Sequence, residues 1–295
     1  MITLRSTSKG VSSFIEYLNA CNHSFVISTT TNSTTIVYSD LYDKYKIVFS
    51  DGVYMSKKEM ILQKKLKKEI IENTKNKEIK FSSNKKIHFF EFDNSIKYMV
   101  ATTGDCVDIP NVMEMDITKA YYQMAYNLNY ISKKFYNKCL ELPKHIRLRL
   151  LGSIATKKVV EKWSDGQMQE MKVIEDLKMR DIWFEICYNV GKVMKECSNA
   201  IQDYFIFYWV DGIYFQRHPR FDAELDPTKQ IIQKIFQKNN LKFSINQLEK
   251  ISLQNYNDEI MLQCWKDGQI KSNFSVPHKK VKKYIFDTHK QSVYA

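Results

Sequence analysis

Two stretches decide how this chain reads: Val112-Met113-Glu114-Met115-Asp116-Ile117 and Phe205-Ile206-Phe207-Tyr208-Trp209-Val210-Asp211-Gly212-Ile213-Tyr214-Phe215. The first alternates and predicts a strand with Asp116 at its end, and Thr118–Tyr126 behind it predicts a helix. The second is a strongly apolar strand that ends on Asp211-Gly212 and then resumes. A carboxylate inside such a strand is costly to bury unless it is paired or holds a metal. Two of them side by side in one sheet would repel and raise each other's pKa. A pair of divalent cations removes that conflict, which is the chemistry of phosphoryl- and nucleotidyl-transfer sites. Taken singly, each residue has a plainer reading: Asp116 as a helix N-cap, Asp211-Gly212 as a hairpin turn.

Working outward, Pro143 opens a second helix rich in Leu and Arg, predicted to run to a polar break at Ser164-Asp165-Gly166. A long helix is predicted over about Arg180–Ala200, with Ile182, Ile186, Val190 and Val193 near helical spacing, and another around Pro227–Asn239. Residues 260–265 and 270–274 predict a hairpin turning at Lys266–Gln269. Before residue 105, short strands are predicted at 24–28, 34–38, 45–49, 88–92 and 97–100. Among them Ser56-Lys57-Lys58-Glu59 is a capping-box pattern. The helix it opens runs to about Asn73, with Ile61, Leu62, Leu66, Ile70 and Ile71 as its apolar stripe and Lys64, Lys65, Lys67 and Lys68 crowding the other positions.

The expected architecture is α+β: a basic N-terminal region over 1–105 and a second region over 106–295. The second holds an antiparallel sheet with packed helices and a helical insertion at about 133–163. The 295 residues carry 45 Lys+Arg against 33 Asp+Glu, a net charge of +12. The excess is uneven: residues 57–86 hold 11 Lys and 4 Glu, and residues 133–162 hold 9 basic and 2 acidic residues. A polyanion is therefore the expected partner. No apolar run approaches the ~18 residues of a membrane helix, and the N-terminus lacks the core of a signal peptide. The six scattered cysteines form no Cys-x-x-Cys pair, which fits a reducing compartment and speaks against structural zinc. Gly-rich phosphate loops and the Gly-x-Ser-x-Gly elbow are absent.

The order of these elements resembles the palm of template-directed polymerases, in particular family B DNA polymerases of the protein-primed phage and plasmid type, over about residues 110–290. Asp116-Ile117-Thr118-Lys119-Ala120-Tyr121-Tyr122 is similar to the first family motif. Tyr121 stands where the family packs a Tyr against the incoming sugar; one more core aromatic is its plainer reading. Phe207–Phe215 is similar to the third motif, with Asp211 at its second, metal-binding Asp and Trp209 in place of the first. The fingers motif matches less well. Ser153 aligns, Leu148 stands where the family has Lys, and Arg147, Arg149 or Lys157 would meet the triphosphate from nearby. That helix serves equally well as a plain backbone-phosphate contact. Lys282-Lys283-Tyr284 resembles the late element that touches the primer terminus.

The resemblance implies a minimal viral or mobile-element DNA polymerase acting in the cytoplasm, the host's for a viral protein. Asp116, Asp211 and the Ile117 carbonyl would hold two Mg²⁺ ions, or Mn²⁺ in their stead. Nucleotidyl transfer from dNTPs would go to a 3′-hydroxyl or a protein hydroxyl. Partners would be primed or single-stranded DNA, a terminal protein and other replication proteins, without a membrane. Three other readings stand beside it. One is a reverse transcriptase-like palm, although Gly212 follows Asp211 where that group has a second Asp. Another is a non-catalytic nucleic-acid-binding replication accessory protein using Lys64, Lys65, Lys67, Lys68 and the 279–283 tail. The third is a metal-dependent nuclease using the same aspartates.

Overall fold

Alternation of apolar and polar residues and three tight turns generate most of the sheet structure. The computed structural model describes residues 1–30, 33–50, 56–82, 84–92, 101–103, 106–218, 220–256 and 259–277. In chain order the elements are β1 (Ile2–Ser6), α1 (Val11–Ala20), β2 (Phe25–Thr30), β3 (Ser33–Ser39), β4 (Lys44–Phe49) and α2 (Lys57–Asn73). Next come β5 (Phe90–Phe92), β6 (Ala101–Thr103), β7 (Cys106–Ile117), α3 (Ala120–Asn127), α4 (Lys133–Leu140) and α5 (Lys144–Gly152). Then follow β8 (Lys158–Ser164), β9 (Gln167–Ile174), α6 (Leu177–Ala200), β10 (Phe205–Trp209) and β11 (Gly212–Gln216). The described elements close with α7 (Pro227–Lys238), β12 (Phe243–Tyr256), β13 (Glu259–Lys266) and β14 (Gln269–Pro277). The protein is thus α+β, with two mostly antiparallel sheets.

The chain forms two compact units, one of Met1–Phe81 with Tyr130–Phe184 and one of Ser82–Asn129 with Glu185–Ala295. The first carries a six-stranded sheet in the order β1-β4-β3-β2-β8-β9, with β1 and β4 its parallel pair. One face buries Phe25, Ile27, Ile36, Ile47 and Phe49 with Leu18 of α1. Helix α2 begins with the expected capping box, in which the Glu59 N–H donates to Ser56 Oγ and the Ser56 N–H to Glu59 Oε2. Its stripe is narrower than the sequence suggested. Leu66 and Ile70 are fully buried, whereas Ile61 and Ile71 are about half exposed.

The segment 133–163, expected to be helical throughout, changes character after α5. Residues 158–164 form β8, paired with β2 on one side and with β9 on the other. Its Ser164–Gln167 pair encloses Asp165-Gly166, both at positive φ (53° and 70°). That is the type I′ hairpin which Asp-Gly favours, so Asp165-Gly166 turns a hairpin rather than breaking a helix. Asp267-Gly268 does the same between β13 and β14, at φ 52° and 71°.

The second unit carries the larger sheet, in the order β14-β13-β12-β7-β11-β10-β5, with β6 on β7. Within it β7, α6 from Glu185 onward, β10, β11, α7 and β12 come in the order β-α-β-β-α-β, with α3 as an extra helix after β7. Their strands lie in the order β12-β7-β11-β10, the split βαβ arrangement. One sheet face buries Val112, Phe207, Tyr214 and Leu248 with residues of β13 and β14. The residues of opposite parity, Met113, Met115 and Ile117 in β7 and Ile213 and Phe215 in β11, are buried on the other face. There Phe236 of α7 meets Phe243 of β12 with ring centroids 5.3 Å apart. Helix α7 is capped by Asp226, whose Oδ1 accepts from the N–H groups of Thr228 and Lys229. Gly191 in α6 is a point of close approach, since a Cβ there would come within 2.5 Å of the His88 carbonyl oxygen.

Candidate active site

The β10–β11 hairpin breaks the pattern of the other two-residue turns. Trp209 pairs with Gly212, so the loop is Val210-Asp211 and Gly212 is already strand. Asp211 is therefore part of a hairpin turn, but not through the Asp-Gly dipeptide. A loop at Asp211-Gly212 would set Gln216 opposite Phe207. The actual register sets Tyr214 there, stacked on Phe207 with centroids 4.2 Å apart. Val210 consequently takes φ 56°, a left-handed value that β-branched residues strongly disfavour.

This register carries Asp211 to the end of β7. Gly212 lies opposite Asp116, and the N–H of Ile117 donates to the Asp211 carbonyl at 2.9 Å. Asp116 belongs to the strand, for the cap of α3 is Lys119 at φ 55°, without a side-chain capping bond. A Cβ on Gly212 would stand 3.4 Å from Asp116 Oδ1 and 3.6 Å from the Tyr214 hydroxyl, so both groups gather over this glycine. Asp116 and Asp211 are each partly exposed, whereas Ile117 is fully buried.

Tyr121, on the first turn of α3, is partly buried. Burial pushes its hydroxyl pKa well up, with further contributions from Cys187 of α6 and from Asp211. Cys187 is itself pushed up to about 12 by burial. The structure thus gathers Asp116, Ile117, Tyr121 and Asp211 at one end of the sheet.

Arg147, Arg149 and Lys157 belong to the first unit. Arg147 Nη1 donates to the Leu142 carbonyl at 2.6 Å, and Arg149 makes an ion pair with Glu59 at 3.7 Å. Lys157 is exposed ahead of β8. On α2, Lys64, Lys65 and Lys68 are exposed and Lys67 is partly buried, with Lys68 paired to Glu72. Lys282, Lys283 and Tyr284 lie outside the described residues.

Two supports of the site are not visible in the sequence. Gln123, buried in α3, accepts from the Lys242 N–H at 2.7 Å and donates to the carbonyls of Lys242 (2.8 Å) and Thr118. It ties the end of β7 to the start of β12. Glu114, two residues before Asp116 and on the same face, is buried. It accepts from the Tyr214 hydroxyl at 2.8 Å, from Asn246 Nδ2 at 2.9 Å and from Lys271. Gln123 sits 119 residues from Lys242, and no local pattern marks either arrangement.

Among the described residues, no group of three or more His, Cys, Asp and Glu side chains stands together to hold a metal ion. The donors at the sheet end are two carboxylates and backbone carbonyls. Hard oxygen donors of this number suit Mg²⁺, which binds through one or two carboxylates, retained waters and substrate phosphates. No helix of the described residues is long and apolar enough to cross a membrane. No protein-family model matches the chain, and no curated protein matches it.

Proposed function

We propose that the protein is a template-directed DNA polymerase, transferring deoxynucleotides to a 3′-hydroxyl or a protein hydroxyl. The observation that carries this reading is the backbone bond from Ile117 to Asp211. It holds Asp116, at the end of β7, beside Asp211, in the turn between β10 and β11, at one end of a split βαβ sheet. The resemblance to the palm of family B polymerases implies this relation between the first and third motifs.

Asp116 and Asp211, with the Ile117 carbonyl, are the residues that would hold Mg²⁺. When bound, the cations would acidify the attacking hydroxyl and neutralise charge on the triphosphate and leaving pyrophosphate. The chain's own part is positioning. The Ile117 N–H fixes the backbone of Asp211, and the pairing of β7 with β11 fixes that of Asp116. Tyr121, partly buried on the first turn of α3, is suited to lie against a sugar and exclude a 2′-hydroxyl. Arg147, Arg149 and Lys157, which the resemblance offers for triphosphate contact, lie in the first unit and form no part of this site.

Primer extension with dNTPs and Mg²⁺ on a primed DNA template tests the reading. Asp116→Asn or Asp211→Asn should each reduce extension at least ~100-fold, about 2.7 kcal/mol of activation free energy, with thermal unfolding unchanged. Extension at the wild-type rate by either variant would sink it. An RNA template used in preference to DNA would point to the reverse transcriptase-like reading. Mg²⁺-independent DNA binding without incorporation would point to an accessory protein.

A further inference from the structure

The second face of the six-stranded sheet has no part in the proposed reaction. Its alternation is fixed by the residues opposite in parity to the α1-packed core. Ser28 and Thr30 of β2 and Ser33 and Thr35 of β3 pair across it as Ser28–Thr35 and Thr30–Ser33. These hydroxyls, with Val37, Lys46 and Lys158, line an open hollow of about 430 Å³. The neighbouring rows place Lys46 across from Val37, Lys162 across from Val26 and Lys172 across from Val160.

The charge on this face is predominantly positive. Arg5, Lys44, Lys46, Lys158, Lys162 and Lys172 share it by register, and its acid among the described residues is Glu170, which pairs with Lys162. Strand β4, bearing Lys46, and strand β8, bearing Lys158, are separated by β3 and β2. Three strand steps make about 14 Å, close to the ~12 Å width of a DNA major groove. The floor between the two rows of cations is hydroxyl and valine, without an aromatic ring. Lysines and hydroxyls are donors to phosphate oxygen. Binding of single strands relies on aromatic stacking platforms, which this face lacks.

We propose that this face is a docking surface for duplex DNA, gripping the phosphate backbones on either side of a groove without reading sequence. The inference goes beyond the polymerase reading and does not depend on it, because binding needs neither dNTP nor metal.

The experiment is fluorescence anisotropy of a short labelled DNA duplex with the full chain, over a salt series in EDTA. Lys46→Gln with Lys158→Gln removes two phosphate contacts. It should flatten the slope of log K against log salt by about 1.8 and weaken binding about 50-fold near 0.1 M salt. The control, Lys192→Gln with Lys234→Gln, removes the same charge from exposed positions on α6 and α7 and should change affinity less than about twofold. Asp116→Asn should bind duplex like the wild type, so failure of catalysis and failure of this surface are separable. Equal losses in both double variants would overturn the proposal. So would a loss confined to single-stranded DNA, or unchanged duplex affinity alongside lost binding to phosphatidylserine vesicles.

Discussion

Gly212 lies directly opposite Asp116 on the adjacent antiparallel strand, and the space where its side chain would begin is bounded by Asp116 Oδ1 at 3.4 Å. That is ordinary van der Waals distance, so alanine fits. A β-branched residue suits the strand but crowds the carboxylate. Gly212→Ala should keep the fold and cost primer extension about tenfold or less. Gly212→Val should cost about 100-fold, the scale of a 1 Å misplacement in a reacting centre. Unaltered extension by the valine variant would show that the space over Gly212 is irrelevant to the chemistry.

Val210 holds a left-handed φ of 56° in the turn that presents Asp211. Strain of this kind costs about 1–3 kcal/mol, and glycine removes it at an entropic cost of about 0.5–1 kcal/mol. Val210→Gly should therefore raise stability by about 1 kcal/mol in urea denaturation. Extension should fall as the turn loosens. A less stable variant would mean that the packing of the valine outweighs its backbone strain.

Gly191 sets two effects against each other. In a helix interior, alanine is favoured over glycine by about 1 kcal/mol. Here its Cβ would meet the His88 backbone at 2.5 Å, and backbone cannot yield as a flexible side chain can. Overpacking typically costs about 1–3 kcal/mol. Gly191→Ala should destabilise by about 1–2 kcal/mol, opposite in sign to helix propensity, as read by the denaturation midpoint. A stabilised variant would remove the close approach from the account.

Alkaline pH should unfold the protein ahead of any covalent damage. Burial raises the pKa of Tyr121, Tyr208 and Tyr214, and of Cys187 and Cys264 to about 12 and about 11. In the unfolded chain, thiols ionise near 8.5 and phenols near 10. Above those values the unfolded state binds fewer protons than the native one, so stability falls as pH rises. Their contribution is fully present below about pH 8.5 and should decline from there through about pH 12. A urea midpoint that stays flat from pH 8 to 10.5 would contradict this. Cys21, exposed in the reduced protein, should react with a thiol reagent well before the buried Cys139, Cys187, Cys197 and Cys264.

Local chemistry explains which parts of this arrangement were readable in the sequence. The capping box at Ser56, the strand ending at Asp116 and the hairpin before β14 are written in neighbouring residues, and each formed. Strand β9 is exposed at every position, so it has no buried face to impose a period, and the sequence does not separate β8 from the helix before it. Only the Asp165-Gly166 dipeptide marked that hairpin. The two aspartates were legible as costly residues on apolar strands. Their adjacency was not, because register depends on the Phe207–Tyr214 stack and on β12, which no local signal announced. Gln123 and Glu114 became visible only once partners 100 and more residues away were brought beside them.

The hairpin of β8 and β9 also bears on biosynthesis. The first unit is discontinuous, interrupted by Ser82–Asn129. While the ribosome is still making the intervening residues, β2 has β3 on one side and its other edge bare. An exposed strand edge is a template for association with other chains. The nascent protein therefore passes through a stage at which its N-terminal sheet is unfinished, and the stage ends only when the residues up to Ile174 have emerged. Expressing residues 1–105 alone would prolong that stage indefinitely, and a chaperone on the bare edge of β2 would shield it in the meantime.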